Sequence, residues 1–189
     1  MQIRCYTSIH CTNIGNTKIY KMQNFIVRIT QENDRLIYGE RIGCFILSAK
    51  VGADFAGNFV RKAHEAGKLV LTEGENAAEN YRLYQADGLI ADVSKEATPQ
   101  KILKQIMAQV KGAVIGVICR NRRHEAMLVS ECEPDFVIFK VWCDGLETNR
   151  ELLKWYSDLF LIQCAAQVEE DLDYKGLPAD FIILDDSYF

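Results

Sequence analysis

Two groups of residues in this 189-residue chain have the types and spacing for chemistry. The first is acidic. Glu73, Asp92, Asp185 and Asp186 each follow a short apolar run. Carboxylates gathered at one end of a fold can bind a divalent cation, which takes oxygen ligands. Their plainer role is to stay solvated or to cap the helices that follow. The second group is basic. Arg120, Arg122, Arg123 and His124 form the densest cationic cluster, where an apolar run gives way to a helical stretch. Cations at a helix start oppose the helix dipole, and a bound phosphate or carboxylate resolves that conflict. Salt bridges to Glu125 and Glu131 are the alternative.

Single residues add to these groups. Lys140 follows Val137-Ile138-Phe139, and a lysine ending a buried run can point into a site or simply reach solvent. Lys50 can contact a phosphate, although an exposed lysine near Gly52 is ordinary. Cys119 lacks a recognisable histidine partner and reads as a structural thiol. Trp142, Trp155 and Tyr156 can stack on an aromatic ligand, but Trp155 and Tyr156 end a helix and are expected to pack inward. His10 with Cys5 and Cys11 is too irregular a set for a zinc site.

The elements that position these residues repeat. Short apolar runs recur at Phe25–Ile29, Cys44–Leu47, Leu69–Leu71, Gly88–Ala91, Val114–Cys119, Phe136–Phe139, Leu159–Gln163 and Phe181–Leu184. Most are continuous, as in strands buried on both faces. Helical stretches lie between them. Asp54–Ala66 stops at Gly67; Thr98 caps and Pro99 opens a helix striped by Ile102, Leu103, Ile106, Met107 and Val110; others run from 121 or 122 to 133 and over Leu146–Ser157. Alternating strands and helices imply a parallel sheet, and eight strands imply a compact TIM-type (β/α)8 barrel. The chain stops right after the last strand, so the final helix is expected to be missing. No G-x-G-x-x-G or Walker motif supports a nucleotide-binding open sheet. Residues 1–21 show no period and read as a leader or extra segment, not necessarily native, or as an added strand. Residues 22–189 read as one domain.

Composition narrows the function. The formal net charge is −4, with 22 basic and 26 acidic side chains, a balance that gives no support to a nucleic-acid binder. Seven cysteines, an odd number without a C-x-x-C pair, fit a reduced cytoplasmic protein. No run is long and apolar enough for a membrane span.

The second half also resembles the thiamine-phosphate synthase and TenI-like superfamily. The stretches that carry the resemblance are Ala86-Asp87-Gly88-Leu89-Ile90, Ile115-Gly116-Val117, Arg123-His124-Glu125-Ala126-Met127, Pro134-Asp135-Phe136-Val137-Ile138-Phe139 and Ala179-Asp180-Phe181-Ile182-Ile183-Leu184. Their order and spacing follow the family over about residues 42–186. The Arg123–Met127 stretch looks like a divergent branch of bacterial paralogues.

The resemblance implies a transferase of thiamine biosynthesis. It would join a pyrimidine diphosphate to a thiazole phosphate and release pyrophosphate with the help of Mg²⁺. TenI-like members isomerise a thiazole on the same fold. Carried over by position, Lys50 is what remains of the family's Q-x-R-x-K run, and Glu73 keeps a carboxylate where the family has Asn-Asp. Asp92 or Glu96, in a rearranged loop, would stand in for the family's metal-binding aspartate, and Glu73 and Asp92 are the implied Mg²⁺ ligands. Cys164-Ala165 stands where the family has a phosphate-cradling glycine pair, Ile118 replaces a serine, and Asp185 or Asp186 replaces another. Lys50, Glu73 and Lys140 are then the catalytic candidates, with Arg120, Arg122, Arg123, Cys164 and Ala165 on the anion. The alternative is a non-catalytic barrel that binds a small phosphorylated ligand, or one that forms a homodimer through its open side.

Overall fold

The computed structural model describes residues 24–169 and 172–189. Eight parallel strands close into a ring in chain order: β1 (Asn24–Ile29), β2 (Ile42–Leu47), β3 (Leu69–Thr72), β4 (Gly88–Asp92), β5 (Val114–Ile118), β6 (Phe136–Val141), β7 (Gln163–Val168) and β8 (Phe181–Asp185). Pairing of Asn24–Arg28 with Phe181–Asp185 joins the last strand to the first. This is the TIM-type barrel that the strand–helix repeat predicts.

The helix deficit exceeds the single missing helix expected. The described residues contain five α-helices: α1 (Ala53–Glu65), α2 (Ala77–Tyr84), α3 (Pro99–Gln109), α4 (Arg123–Ser130) and α5 (Leu146–Leu159). β1 reaches β2 through a 3-10 turn at Arg35–Tyr38, and β8 runs into another at Asp186–Tyr188. The described part of the β7–β8 connection holds no helix. Turn chemistry explains both short crossovers. The Asn33 side chain accepts the Arg35 N–H at 3.1 Å, and Asp173 accepts the Lys175 N–H at 3.1 Å. Such Asx turns compete with helix formation. The expected leader, residues 1–21, lies outside the described residues.

Residues two apart along each strand point into the barrel. Ile26, Ile46, Leu71, Ile90, Ile118, Phe136, Ile138, Ala165 and Ile183 form that interior cluster. The intervening residues, such as Val27, Phe45, Val70 and Val117, face the outer layer. Phe136 and Phe181 fill the barrel's lower end, with ring centroids 6.1 Å apart. Their bulk requires small neighbours. A Cβ on Gly116 would lie 2.5 Å from Phe136 Cζ. Ala165 sits between Ile138 and Phe181 in register.

That constraint corrects the position of β7. The apolar run Leu159–Gln163 is not the strand; Leu159 ends α5 and Leu161 is fully exposed. The strand is Gln163-Cys164-Ala165-Ala166-Gln167-Val168, whose small residues fit beside large ones. Hydrophobicity alone pointed to the wrong run. The expectations also omitted α2, an eight-residue helix in which only Ala77 is buried. Thr98 does precede α3 and Pro99 opens it, but the Thr98 side chain makes no capping hydrogen bond.

The motifs behind the family resemblance have a structural role here. Asp87, Asp135 and Asp180 each immediately precede an even-numbered strand, β4, β6 and β8. Each carboxylate accepts the N–H of the second residue of the preceding odd strand: Val70 at 2.8 Å, Ile115 at 2.8 Å and Cys164 at 3.0 Å. Each aspartate N–H donates back to the carbonyl of that same residue. Three identical clasps therefore tie adjacent strands at the N-terminal end of the barrel, where structure and stability are served. Gly88 has a reason of its own, because a Cβ there would lie 2.0 Å from the Val114 carbonyl oxygen.

Candidate functional site

The site is built by the alternation that fills the barrel. Continuing each inward row beyond the apolar layer leads from Ile26 to Arg28, Leu71 to Glu73, Ile90 to Asp92, Ile138 to Lys140, Ala165 to Gln167 and Ile183 to Asp185. The top layer is thus polar, at the C-terminal strand ends where such barrels place their sites.

Charge pairing organises this layer. Arg28 Nη2 lies 2.6 Å from Glu73 Oε1, and its Nη1 lies 3.5 Å from Asp185 Oδ1. Burial opposes the Arg28 charge, but the hydrogen bond and charge of Glu73, with Asp185, outweigh it and raise the guanidinium pKa. Lys140 Nζ is 3.5 Å from Asp92 Oδ2, a looser contact. Ser94 donates to Asp92 Oδ1 from both its N–H, at 3.0 Å, and its hydroxyl, at 2.5 Å. Burial works against the Asp92 charge, yet the Ser94 hydrogen bonds and Lys140 together lower its pKa.

Asp186 does something else. Its carboxylate accepts the Thr30 N–H and hydroxyl and the Gln31 N–H, at 3.1, 2.5 and 3.2 Å. It is buried and locks the end of β8 to the end of β1. It therefore leaves the acidic ring expected at the mouth.

Two clefts open over the layer, each of about 410 Å³. One is lined by Ser94, Cys119, Arg120, Asn121, Arg122, Lys140 and Trp142. The other, over β6–β8, includes Arg28, Gln167, Glu169, Asp185 and Tyr188. Lys140 and Trp142 line both. The Asn121 amide donates to the Lys140 carbonyl at 2.5 Å and to Asn149 Oδ1 at 2.8 Å, which fixes the loop between β5 and α4. Arg120 is held by Glu125 Oε1 at 3.1 Å, while the buried Glu125 Oε2 has no hydrogen-bond partner among the described residues. Arg122 makes no ion pair among the described residues. Tyr188 donates its hydroxyl to the Glu169 carbonyl and closes the far wall.

The structure sorts the other expected residues. Lys50 is exposed in the β2–α1 turn and lines neither cleft. Arg123 stacks over the Trp155 ring at 5.3 Å, on the outer helical layer. Trp155 and Tyr156 pack with Phe160 against the barrel. Cys164 and Ala165 are fully buried near the start of β7, far down the strand from its C-terminal end. The equivalence with a phosphate-cradling glycine pair rested on the misplaced strand, so it is withdrawn. Cys119 is buried, and burial followed by the Glu125 charge pushes its thiol up to about 12. An unreactive thiol is the result.

Glu73 and Asp92, the Mg²⁺ ligands implied by the resemblance, both have protein partners in this structure, Arg28 for the first and Ser94 and Lys140 for the second. Among the described residues, no three His, Cys, Asp or Glu side chains converge on a point that could hold a metal. Arg28, Gln167 and Glu169 are site residues that the sequence reading missed. The signal was present for Arg28, a charge two positions after an inward isoleucine inside an apolar run. Gln167 was hidden by the wrong boundary of β7.

A larger cavity, about 1090 Å³, lies elsewhere. It lies beside the N-terminal end of the barrel, between Phe160–Gln163 and Tyr174–Asp180. It borders the described part of the β7–β8 connection, away from the C-terminal strand ends, so the smaller mouth clefts are the better candidate. No helix among the described residues is long and apolar enough to cross a membrane.

No protein-family model and no curated protein matches the chain. Solved structures do. The YdjI aldolase from Escherichia coli K12 aligns with a TM-score of 0.68 at 13% identity, over 86% of this chain and 74% of that one. A citrate synthase variant, SbnG, aligns at 0.62 and 11% identity over 88% and 87%. KGPDC from Streptococcus mutans aligns at 0.58 and 13% identity over 86% and 87%. Similarity at this level establishes the barrel fold. These proteins carry different activities, in keeping with a fold that hosts many chemistries.

Proposed function

We propose that this chain is a divergent barrel of the thiamine-phosphate synthase and TenI type whose mouth binds a small phosphorylated ligand. The observation that carries the reading is the convergence of three cations on one cleft: Arg122, which has no ion pair among the described residues, with Arg120 and Lys140, which each meet a single carboxylate, Glu125 and Asp92. Phosphate is held by such cations and by amide and hydroxyl donors, which Asn121 and Ser94 can supply. The order of the sequence motifs supports the family reading, and three of them supply the aspartates that clasp adjacent strands.

Coupling with release of pyrophosphate is the second reading. It is favoured by one observation, the placement of Glu73 and Asp92 at the ends of adjacent strands on the mouth side. Mg²⁺ would supply charge neutralisation for the leaving group, but both carboxylates would first have to leave their present partners. No step is therefore routed through it.

The test is a thermal-shift series on the full chain with phosphate, pyrophosphate, thiamine phosphate and Mg²⁺ alone. A parallel assay follows thiamine phosphate formation from the two family substrates. Stabilisation by phosphate compounds and none by Mg²⁺ alone is expected. No shift with any phosphate compound would remove the binding reading, and product formation would promote the second one.

A further inference from the structure

We propose that the ligand is a phosphate monoester whose other end is rich in hydrogen-bond donors, bound across both clefts in one orientation. The proposal rests on the phosphate reading above and adds the chemistry of the rest of the molecule.

The two clefts differ in charge. The one bounded by Ser94, Arg120, Asn121 and Arg122 has cationic and neutral polar walls. The other contains Asp185, Glu169 and Gln167. Its only arginine, Arg28, meets two carboxylates, Glu73 and Asp185, whereas Arg120 and Lys140 each meet one and Arg122 none among the described residues. TIM barrels commonly bind phosphate in the loops after the seventh and eighth strands. Here Asp185 and Asp186 follow the eighth strand, and Asp185 faces the cleft, so an anion is repelled from that side. The phosphate end is thereby directed to Arg120, Arg122 and Lys140.

The opposite end must satisfy acceptors. Asp185 and Glu169 supply carboxylate oxygens, and the half-buried Gln167 amide has no hydrogen-bond partner among the described residues. Hydroxyl or ammonium groups match that lining; a second anion or a bare hydrocarbon does not. Lys140 and Trp142 stand at the junction, so Trp142 offers an apolar face to the carbon skeleton between the two polar ends. Clefts of this volume suit a small molecule.

Calorimetric titration of the full chain tests this with four probes: inorganic phosphate, sorbitol, sorbitol 6-phosphate and O-phosphoethanolamine. At least one monoester is expected to bind about tenfold or more tightly than inorganic phosphate, the gain from one or two good polar contacts. The tighter of the two monoesters identifies hydroxyls or an amine as the donors. Gln167→Ala lowers the monoester-to-phosphate ratio, whereas Arg122→Ala weakens monoester and phosphate together. Equal affinity for phosphate and both monoesters overturns the proposal while leaving the phosphate reading intact. Failure of phosphate and both monoesters to bind overturns both.

Discussion

Replacing Arg28 with methionine removes the one cation among the described residues that pairs with both Glu73 and Asp185. The Arg28 and Glu73 side chains are 23% and 15% exposed, so the pair lies between the surface and buried cases. Breaking a fully buried pair costs roughly 3–5 kcal/mol. An exposed pair contributes only about 0–1 kcal/mol. An intermediate loss of about 2–3 kcal/mol follows for Arg28→Met, because one carboxylate is stranded and a second loses a neighbour. For a chain of this size, each kcal/mol lowers Tm by about 2–4 °C, giving a fall of about 5–10 °C. Scanning calorimetry measures it. The double variant Arg28→Met/Glu73→Gln is expected to recover part of the loss, since it also removes the stranded charge. A single variant whose Tm stays within about 1 °C of the parent would refute the reasoning. So would a double variant that is less stable than the single one.

Four further outcomes are expected. Gly88→Ala should abolish soluble expression, because its Cβ would meet the Val114 carbonyl oxygen at 2.0 Å; a soluble variant with parental Tm contradicts the close approach. Asp135→Ala should lose about 1.5–3 kcal/mol, the worth of a hydrogen bond to a charged group, in urea unfolding; a change below about 0.5 kcal/mol contradicts the clasp. Burial opposes the charge of Asp92, but Ser94 and Lys140 hold its carboxyl below the ordinary range. A carboxyl lowered by folding stabilises above its unfolded pKa of about 4, and this is lost as pH falls through the folded value. Asp92→Asn should therefore lower Tm near neutral pH and matter progressively less below about pH 4, and a difference that does not vary with pH excludes this linkage. In mass-spectrometric thiol labelling of the native protein, Cys143 is expected to react and Cys119 to resist, since one is exposed and the other buried with its thiol pushed up to about 12. Rapid labelling of Cys119 without unfolding goes against its burial.

The legible part of the fold was the part written in large apolar residues. β1, β5, β6 and β8 announce themselves because their interior rows use Ile and Phe. β7 was obscured because Phe136 and Phe181 leave room only for Ala165 between them, while the more hydrophobic Leu159–Ile162 lies outside any strand. The site followed the same division. Lys140 was legible as a charge closing a buried strand, and Arg120 and Arg122 as a cluster at a helix start. Arg28 was embedded in an apolar run, and its value depends on Glu73, forty-five positions away in the chain. No local pattern reports such a pairing. The A-D-G and A-D-F motifs carried the family resemblance, and their aspartates clasp strands at the end of the barrel opposite the candidate site.

The most direct test of ligand binding at the mouth is phosphorus NMR of inorganic phosphate titrated with the full chain. The parent is compared with the double variant Arg122→Ala/Lys140→Met. Phosphate binding in the cleft lined by these two residues predicts line broadening that saturates with the parent and is largely lost in the variant. No broadening with the parent, or equal broadening with both proteins, would contradict it.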